Sequence, residues 1–146
     1  MEVKRTYEGM YLISQQVAAA FGEAIAHIRE TIESAGGEII AMKKWDERRL
    51  AYEIDKQKRG VYILVYFTAP TSALRKIENN CNLSEQIMRT MFVRADHLTP
   101  EEIGAADERQ ALEDEARLRA TRAMQEDDDE PVGASVGEDE EFDDEE

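Results

Sequence analysis

The sequence predicts an α+β sandwich, in which one four-stranded antiparallel sheet carries two helices on one face. Four segments rich in β-branched and aromatic residues alternate with two segments of helical apolar spacing, in the order strand-helix-strand-strand-helix-strand. The 146 residues suffice for one domain, and a hydrophobic share of 42% is compatible with one packed core. This order of elements folds most simply as a ferredoxin-like sandwich.

The first half of the predicted domain is a strand, a helix and a turn. Residues 5–13 are rich in aromatic and branched side chains and predict the first strand. Ser14 is then a helix N-cap or turn residue. Residues 16–33 carry apolar side chains at steps of mostly three or four, which predicts an amphipathic helix. The glycine pair 36–37 ends this helix, because glycine adopts the left-handed conformation without a Cβ clash.

The second half contains a long strand, a hairpin, a central strand, a short helix and a last strand. In chain order these are residues 38–54, 55–60, 61–67, 71–80 and 86–95. The long strand is expected to be bulged near Asp46 and Glu47, and Pro70 ends the central strand.

The C-terminal third differs in charge from the rest of the chain. Residues 1–98, the predicted domain, hold 14 Lys/Arg and 13 Asp/Glu, whereas residues 99–146 hold 4 and 20, a net charge of −16. The extension 99–126 predicts a charged, solvated helix with few apolar residues to pack it. Residues 127–146 are expected to form a disordered acidic tail, since high charge and scant hydrophobicity cannot offset chain entropy.

A basic stretch surrounds the only tryptophan. Seven cations fall within the seventeen residues 43–59. Such a cluster fits two roles, protection of an edge strand from unwanted pairing and binding of phosphate, and its density favours the second. Trp45 fits stacking on a base or insertion into a partner, and equally a partly buried place in the core. The candidate phosphate contacts are Arg5, Lys43, Lys44, Arg48, Arg49, Lys56, Lys58, Arg59, Arg89 and Arg94.

The third strand invites comparison with the RNA-recognition motif, which has the same order of elements. That motif carries base-stacking aromatics at positions where this chain has Val61 and Ile63. Branched residues at 61, 63 and 65 predict a row that faces the core instead. The tyrosines expected on the open face of the sheet, if the registers allow, are Tyr7, Tyr11, Tyr62 and Tyr66.

The sequence holds no catalytic constellation. It lacks a phosphate-cradling glycine loop, a metal-type Cys/His spacing and a Ser-His-Asp arrangement. The single cysteine, Cys81, excludes an internal disulfide and fits a reducing compartment. No signal peptide and no apolar run of about 18 residues are present, which predicts a cytoplasmic protein without membrane contact. We therefore expect no enzymatic activity, cofactor, metal or small-molecule substrate.

Several segments match a known family in the same order over about residues 3–97. They include Tyr7-Glu8-Gly9-Met10-Tyr11, Trp45 with Arg48-Arg49-Leu50-Ala51-Tyr52, and Ile87-Met88-Arg89-Thr90-Met91-Phe92-Val93-Arg94. On these residues the chain resembles the sixth protein of the bacterial small ribosomal subunit. The resemblance implies a ferredoxin-like fold without enzymatic activity. It also implies joint binding, with the eighteenth small-subunit protein, to the central domain of small-subunit ribosomal RNA. The candidates for contact with that partner protein are Trp45, Leu50 and Tyr52.

Two residues depart from the family pattern. Asp46 stands where the family commonly has glycine and Glu53 where it commonly has proline, so negative charge lies near the proposed RNA edge. A near-neutral domain with an acidic tail predicts weak RNA binding alone and stronger binding with a basic partner. The alternative function is a small ligand-binding regulatory domain, which uses the same sandwich and needs a glycine-bearing pocket between strand and helix.

Overall fold

The computed structural model describes residues 3–54 and 57–133, which form four strands and five helices. The strands are β1 (Lys4–Ser14), β2 (Glu38–Ile54), β3 (Gln57–Pro70) and β4 (Ile87–Arg94). The helices are α1 (Gln15–Ala18), α2 (Phe21–Glu33), α3 (Ala73–Leu83), α4 (Pro100–Ala105) and α5 (Arg109–Gly133). The predicted order of elements is confirmed. Of the acidic tail predicted to be disordered, residues 127–146, the first seven instead form the end of α5, and the part from residue 134 onward lies outside the described residues.

The four strands form one antiparallel sheet in the order β2-β3-β1-β4. β1 and β3 are therefore the central strands, and β2 and β4 are the two edges. This arrangement confirms the ferredoxin-like sandwich, and it places the basic strand β2 at an edge.

The predicted single helix over 16–33 is wrong in one respect, because it is two helices. Ser14 caps α1 by accepting a hydrogen bond from the backbone N–H of Val17 at 3.1 Å. Ala20 then leaves helical geometry at φ −98° and ψ 67°, and α2 begins at Phe21. At the other end Gly36 has φ +101°, the left-handed conformation for which the glycine pair was predicted.

The main core lies between the sheet and helices α2 and α3. Val61, Ile63 and Val65 are fully buried there, which confirms the predicted core-facing row. Tyr7 and Tyr11 were expected on the open face, but both lie in this core. The reason is the register: Tyr7 pairs with Phe67 and Tyr11 with Ile63, and paired residues of neighbouring strands share a face.

Tyr11 contributes a buried polar group to this core. Its hydroxyl lies 2.9 Å from the Thr31 hydroxyl and accepts a longer contact of 3.5 Å from the Cys81 thiol. Thr31 in turn donates to the carbonyl of Ile28 at 2.6 Å. Burial, followed by the influence of Cys81, raises the pKa of Tyr11 well above its ordinary value. Burial likewise raises the pKa of the Cys81 thiol, so Cys81 is a packed thiol rather than a reactive one.

A bulge interrupts the pairing of β2 with β3 close to where the sequence predicted one. The register shifts between Lys44 and Asp46, so Trp45 has no partner in β3. A bulge turns the side chain that it leaves unpaired. Trp45 is consequently 46% exposed and meets the ring of Tyr62 edge-on at 5.7 Å.

The predicted solvated extension is in fact packed on the domain. We call residues 99–124 the C-terminal strap. Thr99 and Glu102 form a capping box at the start of α4, and Ile103 of α4 is buried on the open face of the sheet. Leu112 of α5 is buried on the opposite, helical face. Two apolar residues of the strap thus suffice to attach it, because Ile103 and Leu112 each fill a separate site on the domain.

Candidate nucleic-acid interface

The two lysines of β2 lie on opposite faces of the sheet. Lys43 is in register with Leu64, whose side chain is on the open face, and Lys44 is in register with Ile63 in the main core. Successive residues of a strand alternate between faces, so the two amines cannot contact one RNA surface together.

Lys44 is already engaged by the strap. Its amine donates to Glu115 of α5 at 3.0 Å and to Glu47 at 3.4 Å. Arg119, one turn further along α5, pairs with the same two carboxylates. Burial alone raises the pKa of Glu115, but the hydrogen bonds from Lys44 and Arg119 outweigh it and hold that pKa below its ordinary value. Lys44 therefore serves an internal ion-pair network in the free protein.

Arg48 is held over an aromatic pair. Its guanidinium carbon lies 4.7 Å from the ring centre of Trp45 and 5.6 Å from that of Tyr62. Asp46 binds the same guanidinium at 2.9 Å. The acidic residue that departs from the family pattern thus neutralises its nearest basic neighbour and fixes its position.

The hairpin end of the sheet carries the exposed cations. Arg49 and Arg59 are partners across β2 and β3, and Lys58 adjoins them. All three are exposed, and none forms an ion pair with a carboxylate whose side chain the structure describes, a set that leaves out Glu53 and Asp55. Like charges placed opposite each other repel, so an anion bridging them is favourable. Lys56, a fourth candidate in the same hairpin, lies outside the described residues.

Of three further cationic candidates, Arg89 also lies at the hairpin end, whereas Arg5 and Arg94 lie elsewhere. Arg89 of β4 stacks on the Tyr52 ring at 5.8 Å, which brings it to the hairpin end. Arg94 binds Asp96 at 3.0 Å. The backbone N–H of Thr6, and then Arg94, hold the pKa of Asp96 below its usual range. Arg5 and Arg94 lie near the start of β1. The eight residue steps of strand from Thr6 to Ser14 span about 26 Å, so these two arginines are far from the hairpin end.

The nine candidate cations that the structure describes therefore do not form one site. The exposed group at the hairpin end consists of Arg49, Lys58, Arg59 and Arg89, with Arg48 beside it. Lys44 is sequestered, and Arg5 and Arg94 form a separate group at the opposite end of the sheet.

An apolar groove lies beside this hairpin end on the open face. Its volume is about 420 Å³. Tyr52 borders it and is 62% exposed, whereas Leu50 is 8% exposed and packs near Leu12 over Gly60. Of the predicted partner contacts, Trp45 and Tyr52 are thus at the surface, while Leu50 forms the floor of the groove. Tyr62, expected on this open face, also lines the groove. The lining residues that sequence reasoning did not assign to a partner surface are Met10, Leu12, Ala51, Ile54, Thr90 and Met91.

Exposed apolar residues of β4 extend this surface. Met91 is 62% exposed and Val93 is 43% exposed. Their alternation with the half-buried Phe92 is the period of two that marks opposite faces of a strand, and that signal was available in the sequence. Further along the open face, the Tyr66 hydroxyl donates to Glu8 at 2.7 Å. Burial and the Glu8 carboxylate raise the pKa of Tyr66 to about 12.

The fold and this surface define a ferredoxin-like protein with a cationic, aromatic hairpin end. Among the described residues, no group of three His, Cys, Asp or Glu side chains is arranged to hold a metal ion. No helix in the described part of the chain is long and apolar enough to cross a membrane.

Comparison with known proteins identifies the family. The sequence model described as Ribosomal protein S6 matches residues 6–94. The Small ribosomal subunit protein bS6 of Protochlamydia amoebophila is 40% identical over 111 residues, which are 75% of this chain and 97% of that protein. The protein of the same name from Desulforamulus reducens is 35% identical over 91 residues, 62% and 96% of the two chains. The chain belongs to the ribosomal protein S6 family.

A solved structure supports the same assignment. The crystal structure of the 30S ribosomal protein S6 from Thermotoga maritima superposes with a TM-score of 0.60 at 28% identity, and the match covers 70% of this chain and 98% of that one. Family membership confirms a structural, non-enzymatic protein of the cytoplasmic small ribosomal subunit. It leaves the alternative of a ligand-binding regulatory domain without support.

Proposed function

We propose that this chain binds small-subunit ribosomal RNA jointly with the eighteenth small-subunit protein, and that its hairpin end faces the RNA. The observation that carries the proposal is the exposure of Arg49, Lys58 and Arg59 without ion-pair partners among the described residues. Cations that neutralise phosphates release counterions, and this release supplies much of nucleic-acid affinity. Arg48, already paired with Asp46, contributes less.

The groove on the open face suits the partner protein. It is lined mainly by apolar side chains, among them exposed Tyr52 and Met91, and exposed Trp45 packs against its lining residue Tyr62. Aromatic residues and Met are enriched at the centres of protein interfaces, where they fill pockets and exclude water. A partner that inserts apolar side chains here lies directly beside the hairpin cations and is well placed to add basic charge to the same surface.

Joint binding follows from the charge of the chain. The domain has only one excess positive charge, and residues 99–146 carry a net charge of −16. Repulsion between that acidic segment and RNA opposes binding by the chain alone. We expect weak, strongly salt-dependent binding of small-subunit ribosomal RNA by the isolated chain, and much tighter binding when the eighteenth protein is present.

A filter-binding titration against small-subunit ribosomal RNA tests this expectation. The chain is titrated alone, with the eighteenth small-subunit protein, and with an unrelated basic small-subunit protein as the control. An increase in affinity with the eighteenth protein only supports the proposal. Tight binding by the isolated chain that resists salt contradicts it, as does an equal increase with both partners.

A further inference from the structure

The C-terminal strap wraps around one edge of the sheet and touches both of its faces. Ile103 packs on the open face with Leu64 and Tyr66. Leu112 packs on the helical face, where Ala116 also lies against the core. The segment between them crosses the outer edge of β2. The strap is therefore anchored on two sides of the strand that carries four of the ten predicted phosphate contacts.

The strap also satisfies the free backbone of that edge. The N–H of Met42 donates to the Asp107 carboxylate at 3.1 Å, and the carbonyl of Met42 accepts from the N–H of Glu108 at 2.8 Å. Arg109 donates to the carbonyl of Ile40 at 3.4 Å. An edge strand presents unpaired N–H and C=O groups that recruit other chains, and natural proteins cover such edges. At residues 40–42 the strap provides this cover.

Beyond the edge, α5 contributes Glu115 and Arg119 to the ion-pair network that includes Lys44. The side chains of Lys44 and Glu115 are 30% and 22% exposed. Arg119 continues the network to the domain, donating to the carbonyl of Ala18 at 3.3 Å and lying 5.0 Å from the ring centre of Phe21. These partly buried pairs are screened less by salt than fully exposed pairs. The Glu115 carboxylate thus accepts the hydrogen bond from the Lys44 amine that an RNA phosphate would otherwise accept.

We propose that the C-terminal strap is an autoinhibitory element that covers the outer edge of β2 and holds Lys44 until an anion displaces Glu115. The inhibition of RNA binding rests on the proposed function, whereas the contacts between the strap and β2 do not depend on it. The apolar anchors at Ile103 and Leu112 keep the strap attached, while the carboxylate of Glu115 is the replaceable part. A phosphate oxygen offers Lys44 the same charge-assisted hydrogen bond that the carboxylate does.

The first test measures the accessibility of Lys44 without RNA. An amine-reactive label is applied to the full chain, and the rates at Lys44 and Lys43 are read by mass spectrometry. Lys43 is the internal reference, because it is adjacent and lies on the other face. Glu115→Gln removes the charge of the closer of the two carboxylates that bind Lys44, and Glu113→Gln is the matched control, since it removes the same charge from an exposed position of α5.

We expect Lys44 to react more slowly than Lys43 in the wild-type chain. Glu115→Gln raises the rate at Lys44 by about two- to five-fold, the factor expected for loss of one ion pair. Glu113→Gln leaves the rate unchanged. Equal rates at Lys43 and Lys44 in the wild-type chain overturn the proposal, as does an equal effect of the two variants.

The second test uses small-subunit ribosomal RNA with the same variants. Glu115→Gln raises RNA affinity more than Glu113→Gln does, and adding Lys44→Gln to Glu115→Gln removes the difference. Equal gains from the two glutamate variants show an effect of net charge alone and overturn the proposal. If no variant and no wild-type chain binds RNA, the proposed function fails, and the labelling result still decides whether the strap holds Lys44.

Discussion

The amine of Lys44 lies 3.0 Å from the carboxylate of Glu115, a residue 71 positions later in the chain. This contact joins a strand of the domain to a segment whose composition predicted a solvated helix. Arg119 and Glu47 extend it into a four-residue network. The acidic extension is consequently part of the folded unit at least through Arg119, which contacts the domain.

The strap contributes to stability through its apolar anchors. Leu112→Ala removes a side chain that is 4% exposed, and we expect a loss of about 2–3 kcal/mol in the free energy of unfolding. Leu118→Ala is the matched control on the same helix, because Leu118 is 52% exposed. We expect this control to stay within about 0.5 kcal/mol of the wild type. Urea denaturation measures both, and equal losses contradict the packing of α5 on the domain.

Truncation after His97 tests the strap as a whole. The sequence alone predicts that the fold survives this truncation unchanged. The structure predicts a less stable domain, since the truncation uncovers the Met42 edge and the sites of Ile103 and Leu112. Thermal unfolding at several protein concentrations measures the stability, and light scattering measures self-association through the uncovered edge. An unchanged melting temperature contradicts the expectation.

The Tyr11 hydroxyl stabilises the core through its hydrogen bond to Thr31. Tyr11→Phe is expected to cost about 1 kcal/mol, the typical net value of one such bond. Tyr7→Phe is the control, because Tyr7 is equally a core residue but no side-chain hydrogen bond of its hydroxyl is seen among the described residues. We expect a smaller change there. A loss of stability at Tyr7 that equals or exceeds the loss at Tyr11 refutes this account.

Attachment of the strap is expected to depend on pH in the acid range. Burial raises the pKa of Asp107, but the bonds from Arg109 and from the N–H of Met42 outweigh it, so its pKa lies below the ordinary value, as does that of Glu115. A depressed pKa in the folded state stabilises the folded state above the unfolded pKa. This contribution decreases once the pH falls below the ordinary pKa of a carboxyl group, about 4, and it is lost as the pH passes through the lower pKa of the folded state.

Hydrogen exchange between pH 3 and pH 6 measures this dependence. We expect the Glu108 amide, which donates to Met42, to lose protection at the acid end after correction for intrinsic exchange. A Glu115→Gln, Asp107→Asn double variant carries no titrating carboxylate at either position. Its protection is expected to vary less with pH than that of the wild type. The same pH dependence in both proteins assigns the effect to other groups.

The sandwich could be predicted, because the apolar residues that indicate its strands and helices recur at regular spacings. Branched residues at 61, 63 and 65 alternate with the period of a strand, and this pattern fixed the core face of β3 correctly. The face of Tyr11 was not predictable in the same way. Its neighbours Leu12 and Ile13 are buried as well, so this half of β1 has no polar side to mark its orientation, although Thr6 and Glu8 earlier in the strand lie on the open face.

The strap and the break between α1 and α2 were not predictable from pattern. Ala18-Ala19-Ala20 carries no boundary signal, since alanine is the strongest helix former. Ile103 and Leu112 are isolated apolar residues that fill separate sites on two faces, so they form no stripe. Of the candidate site, the hairpin cations were found from charge density, but their ion-pair partners depend on tertiary contacts across the chain.

The central claim is that the hairpin end contacts RNA phosphates, and the salt dependence of binding tests it most directly. Arg49→Gln with Arg59→Gln removes two exposed cations there, and Arg75→Gln with Lys76→Gln removes two exposed cations of α3 as the control. Binding of small-subunit ribosomal RNA is measured with the eighteenth protein present, from low to moderate salt. We predict that the hairpin variant lowers the slope of log affinity against log salt by about one for each phosphate that it no longer neutralises, and that the α3 variant leaves the slope unchanged. Equal slopes for the hairpin variant and the wild type contradict the claim.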